Sequence, residues 1–133
     1  MNLSEIRWNP VLRAAAVSIL ITFVAIFLIV TAYASLLAIQ ARGAPDTDQI
    51  AVFGDQVGTW GGVIIGFIVT ALAGRWAARK AGSQALMHGL MVGVVVAGVG
   101  LVSSLVLGGG VDLLSFVVSI SGGLVGGVLA GPS

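Results

Sequence analysis

The chain has 133 residues, 58% of them hydrophobic and 8% charged, with a formal net charge of +1, and its mean hydropathy is +1.13. A water-soluble domain carries about 25% charged residues, so water is excluded as the solvent for most of this polypeptide. The absence of cysteine excludes disulfides, thiolate metal centres and thiol catalysis. Four long apolar blocks leave no length for a separate catalytic or nucleic-acid-binding module.

The first apolar block, Ala14 to Ile39, would be about 39 Å long as a helix, against a hydrocarbon slab of roughly 30 Å. The span it predicts, about 12–40, must tilt or protrude. Arg7 and Arg13 before it and Ala32-Tyr33-Ala34 near its end imitate a secretory signal, but the apolar stretch far exceeds the roughly 7–15 residues of a signal core. Gly43-Ala44-Pro45-Asp46 then predicts a turn, and Asp48 is placed to cap a short interfacial helix through Phe53. The second span is expected at about 56–76, with Trp60 and Trp76 about 24 Å apart along the helix, where two aromatic belts would hold them. A basic turn, Arg75 to Lys80, and the polar Gly82-Ser83-Gln84 lead to a third span at about 84–107, which Gly108-Gly109-Gly110 ends. Asp112 caps a fourth, about 112–131, and Gly131-Pro132 stops it.

Charge sets the expected orientation. Arg7, Arg13, Arg75, Arg79 and Lys80 fall on one side of these spans, whereas the other side holds Arg42 with Asp46, Asp48, Asp55 and Asp112. The positive-inside rule makes the first side cytoplasmic, with both termini inside, and its basic residues are expected to meet anionic headgroups. The predicted fold is therefore all-α: a compact, glycine-rich bundle of four transmembrane helices forming a single domain over 1–133.

Glycine accounts for 20 residues, most of them inside the spans. Lipid does not press helices together, so close contact over small residues must supply the packing energy. Gly58, Gly62 and Gly66 repeat every four residues in the second span. Gly89 and Gly93 do so in the third with Ala97, and Gly123, Gly127 and Gly131 in the fourth, beside Gly122 and Gly126. This GxxxG spacing lines one face of each helix. The first span has no glycine, and is expected to lie peripherally. Trp60 to Gly66 and Ser121 to Gly127 are alike in texture, and each follows an acidic residue; two duplicated hairpins would explain this.

No ionisable residue falls well inside a span except His88, near the start of the third. Histidine there can ligate haem iron or a pigment's magnesium, or it can be a structural residue bonded to a neighbouring helix or a headgroup. Asp46, Asp48 and Asp55 lack the glycine and glutamate of a calcium loop, so no metal is expected. The span hydroxyls, among them Thr70, Ser104, Ser119 and Ser121, can bond to their own helix carbonyls or across helices. Serine, histidine and carboxylate do not share one depth, so no hydrolase site is expected.

The stretch Gly61-Gly62 through Gly74-Arg75, then Ala78-Arg79-Lys80-Ala81-Gly82, His88-Gly89-Leu90-Met91-Val92-Gly93 and Gly122 to Gly127, resembles the YrzE-like small four-helix bacterial membrane proteins. The resemblance covers about the last two thirds of the chain. It implies a bacterial inner-membrane fold and no active site. The functional expectation is a non-enzymatic packing or accessory subunit of a homo- or hetero-oligomeric complex, with membrane lipids as partners and no cofactor. A small channel or transporter built by oligomerisation is the alternative, and a pigment- or haem-binding subunit using His88 a third.

Overall fold

The computed structural model describes residues 6–82, 84–106 and 112–131; the expected stop at Gly108-Gly109-Gly110, Ser83 and Pro132 lie outside them. Among the described residues all regular structure is helical: α1 (Trp8–Ala41), α2 (Thr47–Gln56), a π-helical turn (Val57–Gly61), α3 (Gly62–Ala81), α4 (Ala85–Val106) and α5 (Leu113–Leu129).

The interfacial helix and the second span are not separate. Thr47–Ala81 is one apolar rod of 35 residues, about 52 Å long. Nothing between its ends breaks a helix: prolines occur only at 10, 45 and 132, and Gly61 and Gly62 keep helical angles near φ −60° and ψ −40°. The rod is capped by Asp46 rather than Asp48. Asp46 keeps extended backbone, and its Oδ1 accepts from the N–H groups of Asp48 at 2.9 Å and Gln49 at 3.3 Å. Asp48 is left in the first turn, where its charge suits the helix dipole. The basic stretch is also helix, not turn: Arg79 and Lys80 occupy the last turn of α3, where cations face unpaired carbonyls. Gly82, in the left-handed region at φ 72°, ends it.

Trp8–Ala41, Thr47–Ala81 and Ala85–Val106 are long and apolar enough to cross a membrane. The fourth apolar helix, Leu113–Leu129, has 17 residues, about 26 Å, at the short end of what can span. Asp112 caps it as expected, Oδ1 accepting from Leu114 N–H at 3.0 Å and Ser115 N–H at 3.2 Å. Large apolar side chains point outward; Phe23, Phe27, Leu36 and Ile39 of α1 are 58–73% exposed.

Helices α3 and α4 touch each other. Helix α5 packs against both from one side and α1 from the other, with no α1–α5 contact among the described residues. Helix α1 runs antiparallel to the rod, Ser18 meeting Thr70 and Tyr33 stacking on Phe53 with ring centroids 3.9 Å apart. The first helix is peripheral only in its second half. Val11, Ala14 and Ala15 join Ala77 of α3 and Val92 of α4 in the core, and Ser18 is buried beside them. Alanine and serine at this spacing give α1 the close approach that glycine gives elsewhere.

Candidate functional site

His88 is fully buried in the first turn of α4, and both ring nitrogens are engaged. The backbone N–H of Arg7 donates to Nε2 at 3.0 Å, and Nδ1 lies 3.1 Å from the Gln84 carbonyl oxygen. A carbonyl only accepts and a backbone N–H only donates, so Nδ1 carries the proton and Nε2 the lone pair. The alternative role as a cofactor ligand would require Nε2 to give up Arg7 or Nδ1 to give up Gln84. The geometry matches the structural alternative, a histidine bonded to a neighbouring segment.

Helix α5 presents glycine to two neighbours at once. Gly122 and Gly126 face α3: a Cβ on Gly122 would lie 3.0 Å from the Phe67 carbonyl oxygen, and one on Gly126 would collide with that of Ala71. Gly123 and Gly127 face α4, where a Cβ on Gly123 would strike the Gly89 carbonyl oxygen and one on Gly127 would lie 2.9 Å from Leu86 Cα. On α4, Gly89 and Gly93 are equally crowded, a Cβ falling 2.5 Å from Gly123 O and 2.6 Å from Ser119 O respectively. Gly131, at φ 82°, ends the helix and packs on nothing within 4 Å.

The second-span ladder behaves differently. Gly58 and Gly66 have nothing within 4 Å, and Gly62 meets only the tip of Ile26 at 3.6 Å. Among the described residues the expected Gly58–Gly62–Gly66 contact is not made; α3 meets α5 through Thr70, Ala71 and Gly74 instead. Those small residues lie about a turn or more further along α3, where α5 reaches it. The windows 60–66 and 121–127 differ in packing: the glycines of the first are half-buried with little against them, and those of the second are buried between α3 and α4.

Two polar features cross helices. Ser18 Oγ and Thr70 Oγ1, both buried, are 3.2 Å apart, linking α1 to α3 at the level where Thr70 also touches the Gly122 position. Ser18 was not among the hydroxyls singled out above, although it follows Val11, Ala14 and Ala15 at helical spacing, the signal that would have found it. Three other span serines bond to their own helix: Ser35 to the Thr31 carbonyl, Ser119 to that of Ser115 and Ser121 to that of Val117, each at 2.8 Å. At the acidic end a cavity of about 230 Å³ between α4 and α5 is lined by Gly100, Ser104, Asp112, Ser115 and Ser119 among others. Hydroxyl and backbone N–H donation from Ser115, with the Leu114 N–H, hold the Asp112 carboxyl below its ordinary 3.8 against the opposing effect of burial. No three of His, Asp and Glu come together among the described residues.

The basic residues divide. Arg7 and Arg13 of the α1 end and Lys80 of α3 line one hollow of about 520 Å³ with Trp8, Asn9, Pro10 and Trp76. Arg79 is exposed outside it, and Arg75 is half-buried with no hydrogen-bond partner for Nε among the described residues. Against known protein families, curated proteins and solved structures, the chain matches none.

Proposed function

We propose that this chain is a non-enzymatic, four-span protein of a bacterial inner membrane, with both termini cytoplasmic, acting as a packing or accessory subunit of a homo- or hetero-oligomeric membrane complex. The open ladder on the rod carries the proposal. Among the described residues Gly54, Gly58 and Gly66 meet nothing within 4 Å and Gly62 almost nothing, yet they rise every four residues over about 18 Å of helix. Bare backbone of this kind is what a second helix packs on in lipid, and the chain's own α5 uses a different part of α3. The orientation rests on charge: α1 begins and α3 ends among Arg7, Arg13, Arg79 and Lys80, whereas α2 and α5 begin at Asp46 and Asp112. The resemblance to the YrzE-like proteins points the same way.

Purification in gentle detergent with mass analysis tests the proposal. A defined oligomer or a co-purifying partner is expected, and Gly58→Leu or Gly66→Leu should release it while leaving the monomer's helicity intact. A monomer in both cases, or selective solute flux from the pure protein in liposomes, overturns it; flux would establish a channel or transporter instead.

A further inference from the structure

We infer that the hollow at the basic end binds the headgroup of an anionic phospholipid, with one acyl chain lying in the adjoining groove between α1 and α3. The inference rests on the bilayer placement proposed above.

Three cationic side chains, Arg7, Arg13 and Lys80, line the hollow, and no acidic residue is among the described residues that line it. None of the three forms an ion pair with a described residue. Like charges gathered on one wall repel, so an anion seated among them relieves that repulsion. The backbone that carries these side chains is held in place. The Arg7 backbone N–H is fixed to buried His88, and Lys80 stands on the last turn of α3. The start of α1 adds to the field: among the described residues it has no side-chain cap and no acid in its first turn, so its positive dipole end favours an anion.

The second observation is the groove. Ala14, Val17, Ser18 and Ile21 of α1 face Val69, Leu72, Ala73 and Trp76 of α3 across an apolar channel of about 360 Å³. Each side is an i, i+3, i+4, i+7 stripe, so the channel follows the helix axes for about 10 Å. Trp76 lines both groove and hollow, and Arg13 adjoins Ala14 in the chain. A charged compartment opening into an apolar one, with tryptophan at the junction, has the polarity profile of a phospholipid at the interface. A soluble anion would fill only the first compartment, and a neutral lipid would leave the cations unmatched.

Native mass spectrometry of the detergent-solubilised full chain, offered phosphatidylglycerol and phosphatidylcholine of identical acyl chains, tests this. One phosphatidylglycerol should be retained in preference to phosphatidylcholine. Arg13→Gln and Lys80→Gln should each weaken retention about fivefold, the fold-change for about 1 kcal/mol per cation. Arg79→Gln, outside the hollow, should not. Val17→Trp, which fills the groove without altering charge, should also weaken retention, and millimolar glycerol 3-phosphate should not displace the lipid. Equal retention of the two lipids, equal losses in Arg79→Gln and Lys80→Gln, or displacement by glycerol 3-phosphate overturns the inference while leaving the membrane proposal standing. A chain that stays monodisperse in plain buffer without amphiphile overturns both.

Discussion

Arg7 donates its backbone N–H to Nε2 of His88 at 3.0 Å, across 81 residues of sequence. The contact ties the residue that precedes α1 to the first turn of α4, and it orders the segment from which the basic hollow is built. Because Nδ1–H donates to the Gln84 carbonyl oxygen, the imidazole spends both of its ring nitrogens on the fold.

Replacing His88 by Ala removes a buried acceptor, strands the Arg7 N–H and opens a cavity. A loss of about 1–3 kcal/mol is expected for the unsatisfied group alone, read as a lower melting temperature in detergent and faster proteolysis at Arg7. His88→Gln, which keeps an acceptor, should recover part of it. A wild-type melting curve for His88→Ala would remove the bond from the stabilising contacts. A visible absorption band lost in the same variant would restore the cofactor reading.

The glycines separate into two classes by what surrounds them. Gly123→Ala and Gly126→Ala drive a methyl into backbone carbonyls of α4 and α3, and each should destabilise by about 1–3 kcal/mol or more through overpacking. Gly98→Ala, whose Cβ position is open, should be neutral or up to about 1 kcal/mol stabilising through helix propensity. Equal costs at Gly98 and Gly126 in a chemical-denaturation series in mixed micelles would contradict the packing described.

Ser18 and Thr70 provide a direct measure of a buried polar contact between helices. Interhelical bonds of this kind average about 0.6 kcal/mol and reach about 1.7. Thr70 can turn to its own helix when Ser18 is lost, which keeps the cost low. A double-mutant cycle with Ser18→Ala and Thr70→Val should give a coupling in that range; additivity of the two single changes would mean the hydroxyls do not interact.

Asp112 links stability to acid. Ser115 holds its carboxyl below the ordinary 3.8 in the folded chain, so the unfolded chain binds the proton more tightly. The contribution is therefore complete above about pH 4 and is lost as pH falls through the depressed folded value. Thermal midpoints should drop on acidification in the wild type. Asp112→Asn should abolish this part of the dependence, and Ser115→Ala, which removes the largest cause, should reduce it. An Asp112→Asn profile parallel to wild type below pH 4 would rule out the carboxylate as its source.

Much of the architecture was legible before any coordinates. Four apolar blocks separated by nearly all the charges predict helices, and Asp112 and Gly131 mark the ends of α5 in both sequence and structure. The starts and stops that went astray, Asp48 for Asp46 and a break before Val57, lie where several residues compete for one role. A glycine-containing stretch without proline neither ends nor continues a helix by itself.

Composition and hydropathy by themselves determined that this is an apolar, helical chain with a basic and an acidic end, because those are sums and short-range periodicities. Only the tertiary structure decided which glycines are buried, that half of α1 belongs to the core, and that Arg7, Arg13, Trp76 and Lys80 share one hollow. A four-residue repeat marks a face on a helix but not its rotation about the axis or its neighbour. Those depend on how all the helices pack at once, and no local window of sequence contains that information.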